Sequence, residues 1–118
     1  LNAPHTSLNH QASECLALYH AADLLNRKDL RELADRMLLA IVDTGSGWVM
    51  QNHNLYYSIK PDGTYVEGDY PYLTYNDLYD LRKYLSSSER PELETLTYLM
   101  GEKLQWMQNN GVTGYEKG

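Results

Sequence analysis

The residues with the clearest capacity for chemistry are aromatic and acidic, and they are crowded together. Eleven tyrosines and two tryptophans stand in a chain with no phenylalanine, and eight of those tyrosines fall between Tyr56 and Tyr84. Between Pro61 and Leu81 there are five carboxylates and not one lysine or arginine. Tyr65, Glu67, Asp69, Tyr70, Tyr72, Tyr75, Asp77, Tyr79 and Asp80 therefore share one short segment. A phenol offers a broad apolar face with a polar tip at little cost in rotamer entropy, which suits it to recognition surfaces. Interleaved carboxylates bias such a surface towards a basic partner and speed the encounter with it. In a chain without phenylalanine some of these rings must also serve the core, and Tyr19 and Tyr57 are assigned there. Tyr79 falls off the leucine stripe of its helix, and Tyr70 and Tyr72 flank Pro71 in a connecting segment. These nine residues are read as a protein-binding surface.

Other candidate groups are sparser. Cys15 could act as a nucleophile only if exposed beside a base, and its place among Leu8, Leu18 and Ala22 predicts a buried, inert thiol. The histidines are His5, His10, His20 and His53. His10 and Glu14 have helical i, i+4 spacing, but two ligands are short of the three that zinc takes from a protein, so a solvated pair is expected and no metal or cofactor is assigned. His20 lies on a polar side and His53 in the turn Asn52-His53-Asn54. Asp43-Thr44-Gly45-Ser46, with Ala40-Ile41-Val42 before it and Trp48-Val49 after, resembles the active-site motif of aspartic proteases. The resemblance covers these four residues and their apolar flanks. It implies a loop following a β-strand and a second such loop, from another subunit, whose carboxylate shares a proton with Asp43. The helical periodicity upstream points instead to a helix end running into a glycine turn. On the last helix Leu99 and Trp106, seven residues apart, form a shoulder stripe that could support a homodimer.

The elements that must position these groups follow from periodicity. In 7–26 Leu8, Ala12, Cys15, Leu18, Tyr19, Ala22 and Leu25 share one helical face, with Ser7 as N-cap. A second helix starts at Asp29 and Glu32, which have capping-box spacing, carries the stripe Leu30, Leu33, Ala34, Met37 and Ile41, and stops at Gly45 and Gly47. The short link Arg27-Lys28 predicts an antiparallel helical hairpin. Residues 48–51, 55–59 and 64–66 read as three short strands, the last two joined by the turn Pro61-Asp62-Gly63, with Trp48, Met50, Tyr57, Ile59 and Tyr65 facing the helices. A third helix runs from a Thr74 cap to Leu85, with Leu73 stapled to Leu78 and a stripe of Leu78, Leu81 and Leu85. After the break Ser86-Ser87-Ser88, Pro91 opens a fourth helix with the stripe Leu93, Leu96, Met100, Leu104 and Met107, closed by Asn110-Gly111. The fold class is α+β and mostly helical: two N-terminal helices, a small antiparallel meander of about three strands and two C-terminal helices in one domain, 1–118, with 1–6 and 112–118 frayed.

Composition bounds the function. The chain has 118 residues, one cysteine and a net charge of −6, from sixteen acids against ten bases. That charge argues against direct contact with nucleic acid, a single cysteine makes no internal disulfide, and no apolar run is long enough for a membrane span. The reading adopted is a small, acidic, cytoplasmic regulator or inhibitor that needs no cofactor. It binds a basic protein, which could itself bind nucleic acid, and it is not an enzyme. The alternatives are a small hydrolase, using Asp43 or His53, and a homodimeric scaffold module.

Overall fold

Four helices carry the chain, and the computed structural model describes residues 7–117. Helix α1 spans Leu8–Leu25 and α2 spans Lys28–Thr44. The Ser7 hydroxyl caps α1 by accepting from the His10 N–H at 3.3 Å. Asn26 closes the helix in the left-handed region (φ 53°), which asparagine tolerates better than most residues, so Asn26 and Arg27 make the tight turn of an α1–α2 hairpin. Helix α2 begins one residue before the expected Asp29 cap. Arg27 occupies the cap position without a side-chain bond, and the Asp29 carboxylate is taken by the Arg27 guanidinium at 2.6 Å and 2.7 Å. That contact holds the exposed Asp29 carboxyl down at about 2.

Gly45 ends α2 (φ 49°), and a single 3-10 turn, Gly45–Trp48, follows. This turn displaces the first expected strand. Trp48 is drawn into the core, its Nε1–H donating to the Ile41 carbonyl at 3.2 Å, and only one isolated bridge, Val49 to Leu55, remains. The sheet therefore has two strands, β1 (Ser58–Ile59) and β2 (Tyr65–Val66), antiparallel with Ser58 opposite Val66 and Ile59 opposite Tyr65. Their connection is the expected turn. Gly63 takes φ 86°, the Gly63 N–H donates to the Lys60 carbonyl at 2.9 Å, and Asp62 Oδ1 accepts from the Thr64 N–H at 2.9 Å. Of the residues expected to face the helices, Trp48 is buried, Met50, Tyr57 and Ile59 are half-buried, and Tyr65 is exposed.

Helices α3 (Leu73–Leu85) and α4 (Glu92–Asn109) complete the bundle, α3 packing on both α1 and α4. The leucine stripe Leu78, Leu81, Leu85 is buried as its spacing requires. Leu73 is the first residue of α3 and exposed, so it makes no staple, and Thr74 turns its hydroxyl inward instead of capping the helix. Two buried faces are rotated from expectation. Helix α2 buries Ala34, Leu38 and Ile41 and leaves Leu33 38% exposed, while α1 leaves Leu25 in its last turn 58% exposed. Helix α4 buries Leu96, Leu99, Lys103 and Met107, with Leu93, Met100 and Leu104 on the margin. A lysine stands where the core stripe passes, and that substitution hides the true period. The core thus gathers Leu8, Ala12, Cys15 and Tyr19 of α1, the inner faces of α2, α3 and α4, and Trp48 and Leu55 from the irregular middle.

Tyr19 shows how a polar tip is accommodated there. Its ring is fully buried, and its hydroxyl donates to Asp35 at 2.5 Å and accepts from Arg90 at 3.3 Å. Arg90 also reaches Asp35 and Glu92, each at 3.2 Å, so the α3–α4 link is tied to α1 and α2. The tail through Lys117, expected to fray, lies along α3 instead, and Gly118 lies outside the described residues. The Glu116 N–H donates to Asn76 Oδ1 at 2.8 Å, and Tyr115 meets Tyr75 edge-on with centroids 5.7 Å apart. Residues 1–6, expected to fray and containing His5, lie outside the described residues.

Candidate functional site

The segment between β2 and α3 folds around a buried ion pair. Asp69 and Lys103 meet at 2.7 Å with side chains 1% and 0% exposed. The Lys103 ammonium also donates to Asn54 Oδ1 at 2.6 Å and to the Tyr70 carbonyl at 2.8 Å, and it lies 4.3 Å above the Trp106 ring. Thr74 donates to the other Asp69 oxygen at 2.5 Å. Burial pushes the Asp69 carboxyl up and the Lys103 ammonium down, while the attraction between them opposes both shifts. Asp69 is therefore no part of an exposed acidic surface: a cation eighteen residues beyond Leu85, on another helix, has claimed it. The pair anchors the chain on which Tyr70, Pro71, Tyr72 and Leu73 are presented.

Those four residues line an outward-facing apolar hollow of about 350 Å3. Tyr70, Tyr72 and Leu73 are 42%, 41% and 41% exposed, and Tyr65 is 49% exposed. Each ring is braced from behind. Tyr65 stacks on Tyr56 with centroids 4.3 Å apart, and Tyr70 meets Tyr57 edge-on at 5.7 Å. A hydrogen bond with Tyr57 raises the Tyr70 phenol above its ordinary pKa. Tyr72 lies against Gly114 (φ 97°), where a Cβ would come within 3.1 Å of the ring. Glu67 is exposed nearby in the chain.

The remaining members of the expected surface divide differently. Tyr75 is buried, at 7% exposure, because its position on α3 faces α4 and the tail. Tyr79, Asp77 and Asp80 are half-buried on the same helix. Burial pushes the Asp77 carboxyl up to about 6, helped by the charge of Asp80 and opposed by a hydrogen bond with the Asn9 side chain. Asp80 in turn shares a hydrogen bond with Glu116, which raises the Glu116 carboxyl. The nine residues thus form an exposed group (Tyr65, Glu67, Tyr70, Tyr72), an α3 group in which Tyr75, Tyr79 and Asp80 meet the tail and Asp77 meets Asn9 of α1, and one interior anchor, Asp69.

The rival sites meet physical obstacles. Asp43 and Thr44 are the last two residues of α2, so Asp43 projects from a helix end and not from the post-strand loop that the protease resemblance implies. Leu99 is fully buried in the core, and Trp106 is half-buried beneath Lys103, so the two do not make an exposed shoulder stripe. Cys15 is buried, its Sγ–H donating to the Ala34 carbonyl at 3.3 Å, and burial pushes the thiol up to about 12. His10 and Glu14 form an exposed contact at 3.3 Å. Among the described residues no group of three His, Cys, Asp or Glu is placed to hold a metal ion, and no helix is long and apolar enough to cross a membrane. Sequence reasoning missed the His53–Glu102 contact at 2.9 Å, in which His53 adopts φ 78°. Neither residue is hydrogen-bonded to a serine, threonine or cysteine among the described residues. It also missed Lys103, whose only sequence signal is a lysine seven residues after buried Leu96 and four before buried Met107.

Comparison with protein-family models, with curated proteins and with solved structures finds no match to this chain.

Proposed function

We propose that the chain acts in the cytoplasm by binding a protein with a basic surface, as a regulator or inhibitor of that partner. The observation that carries this reading is the exposed segment Tyr70-Pro71-Tyr72-Leu73, which lines an apolar hollow and is tied by the Tyr70 carbonyl to a buried ion pair. Rigid aromatic side chains around a small apolar hollow are the composition of interaction hot spots, because little entropy remains to be lost on binding. Charge selects the partner. The chain carries −6 overall, Glu67 is exposed beside the ridge, and no cation occurs from Pro61 to Leu81. A nucleic-acid-binding protein is one partner of this kind, and the tyrosine surface with Glu67 would then compete with nucleic acid for it.

The test uses the protein as bait in its source cells, with Tyr65→Ala, Tyr70→Ala and Tyr72→Ala combined as the control. A specific partner should be captured by wild type and lost, by about tenfold or more in affinity, with the triple variant. Added salt should slow association. Equal capture by a correctly folded triple variant would overturn the reading.

A further inference from the structure

A second hollow, of about 360 Å3, opens where α3, α4 and the tail meet, lined by Tyr75, Tyr79, Leu104, Tyr115, Glu116 and Lys117. Its aromatic walls are not parallel. Tyr115 stands edge-on to Tyr75, with planes at 76°, and Tyr79 is tilted 39° from Tyr75 at 6.2 Å. Ring faces set at different angles around a small space are what hold a compact cation, since each face carries the negative lobe of its quadrupole. The wall from the tail is fixed in place by the Glu116 N–H bond to Asn76. Two acidic side chains, Asp80 and Glu116, lie together beside it, with Lys83 nearby and Lys117 as the cation in the hollow itself.

The chain supplies its own illustration of what the hollow attracts. The Lys117 ammonium, on an exposed residue next to the end of the chain, sits 5.4 Å from the Tyr115 ring centroid. Lys117 makes no salt bridge among the described residues, and its ammonium faces the Tyr115 ring. We propose that this aromatic cleft receives a lysine side chain of the protein partner, whose alkylammonium displaces that of Lys117 from the tyrosine faces. The source of that lysine rests on the protein-binding reading above, whereas the affinity of the cleft for an alkylammonium does not.

The probe is n-butylammonium chloride, titrated into the intact protein while tyrosine ring resonances are followed by NMR. n-Butanol serves as the uncharged counterpart and potassium chloride as the salt control. Saturable shifts at Tyr79 and Tyr115 are expected with n-butylammonium, with half-saturation on the order of 10 mM, and far weaker ones with n-butanol. Lys117→Gln removes the competing cation and should tighten binding about two- to fivefold. Tyr115→Ala should abolish it and Tyr115→Phe, which keeps a ring face, should retain it. Equal responses to the amine and the alcohol, or unchanged affinity in Lys117→Gln, would overturn the proposal. A partner captured equally well by wild type and Tyr115→Ala would overturn lysine docking while leaving the Tyr70–Leu73 ridge standing.

Discussion

Replacing Lys103 by methionine tests the anchor beneath the ridge. The substitution keeps an unbranched side chain of similar length but removes a fully buried ammonium that contacts Asp69, Asn54 and the Tyr70 carbonyl. Asp69 would be left with the Thr74 hydroxyl and the Tyr70 backbone N–H, and with its charge uncompensated. Breaking one side of a buried pair costs about 3–5 kcal/mol, against a total stability of roughly 6–18 kcal/mol for a domain of this size. With an unfolding entropy of about 2.1 cal/mol/K per residue, that loss lowers Tm by about 12–20 °C. The deficit should depend on pH. Burial already raises the Asp69 carboxyl, and loss of the lysine raises it further. A carboxyl whose folded pKa exceeds its unfolded one favours the fold below the unfolded value and loses that advantage as pH rises through the folded value. The variant should therefore approach wild type as pH falls towards 4. Urea unfolding followed by circular dichroism at pH 7 and pH 4 measures this, and Lys103→Met combined with Asp69→Leu should recover most of the loss. A loss below about 1 kcal/mol at pH 7, or a deficit that grows on acidification, would refute the reasoning.

Two further predictions follow from displaced titrations. Asp77, pushed up to about 6, favours the fold below pH 3.8 and loses that contribution as pH rises through 6. Asp77→Asn should therefore stabilise the protein at pH 7 by about 1–2 kcal/mol, after allowance for solvent screening, and by almost nothing near pH 4; a variant with no gain at pH 7 would count against the shift. Cys15, buried and pushed up to about 12, should react with Ellman's reagent at pH 8 only at the rate of unfolding. Rapid modification of the folded protein would contradict its burial.

What could be read from the sequence was set by how local the determining physics is. Four helices, the α1–α2 hairpin, the Ser7 cap and the Pro61-Asp62-Gly63 turn depend on residues near one another, and all are present. The buried stripe of α3 was equally legible, because Leu78, Leu81 and Leu85 have no polar competitor on their face. The stripe of α4 was not, because Lys103 occupies a core position and its justification, Asp69, lies 34 residues earlier. The first expected strand, 48–51, failed for a similar reason: Trp48 has strand propensity, yet the Ile41 carbonyl and the core claim its indole. The candidate surface was legible in composition and not in exposure. Tyr70 and Tyr72 are exposed beside a proline as connecting segments usually are, whereas Tyr75 and Asp69 went inside to meet residues of α4 and the tail.

The absence of phenylalanine has a consequence for how uniquely this fold is defined. A phenyl ring can settle in any apolar gap of the right size, but the Tyr19 ring brings an oxygen that must arrive where Asp35 and Arg90 already converge. A misthreaded packing of α1 would strand that oxygen in a medium with nothing to bond it, at a cost of about 1–3 kcal/mol. The phenol thus acts as a proofreading device, penalising alternative compact states that a purely hydrocarbon interior would accept.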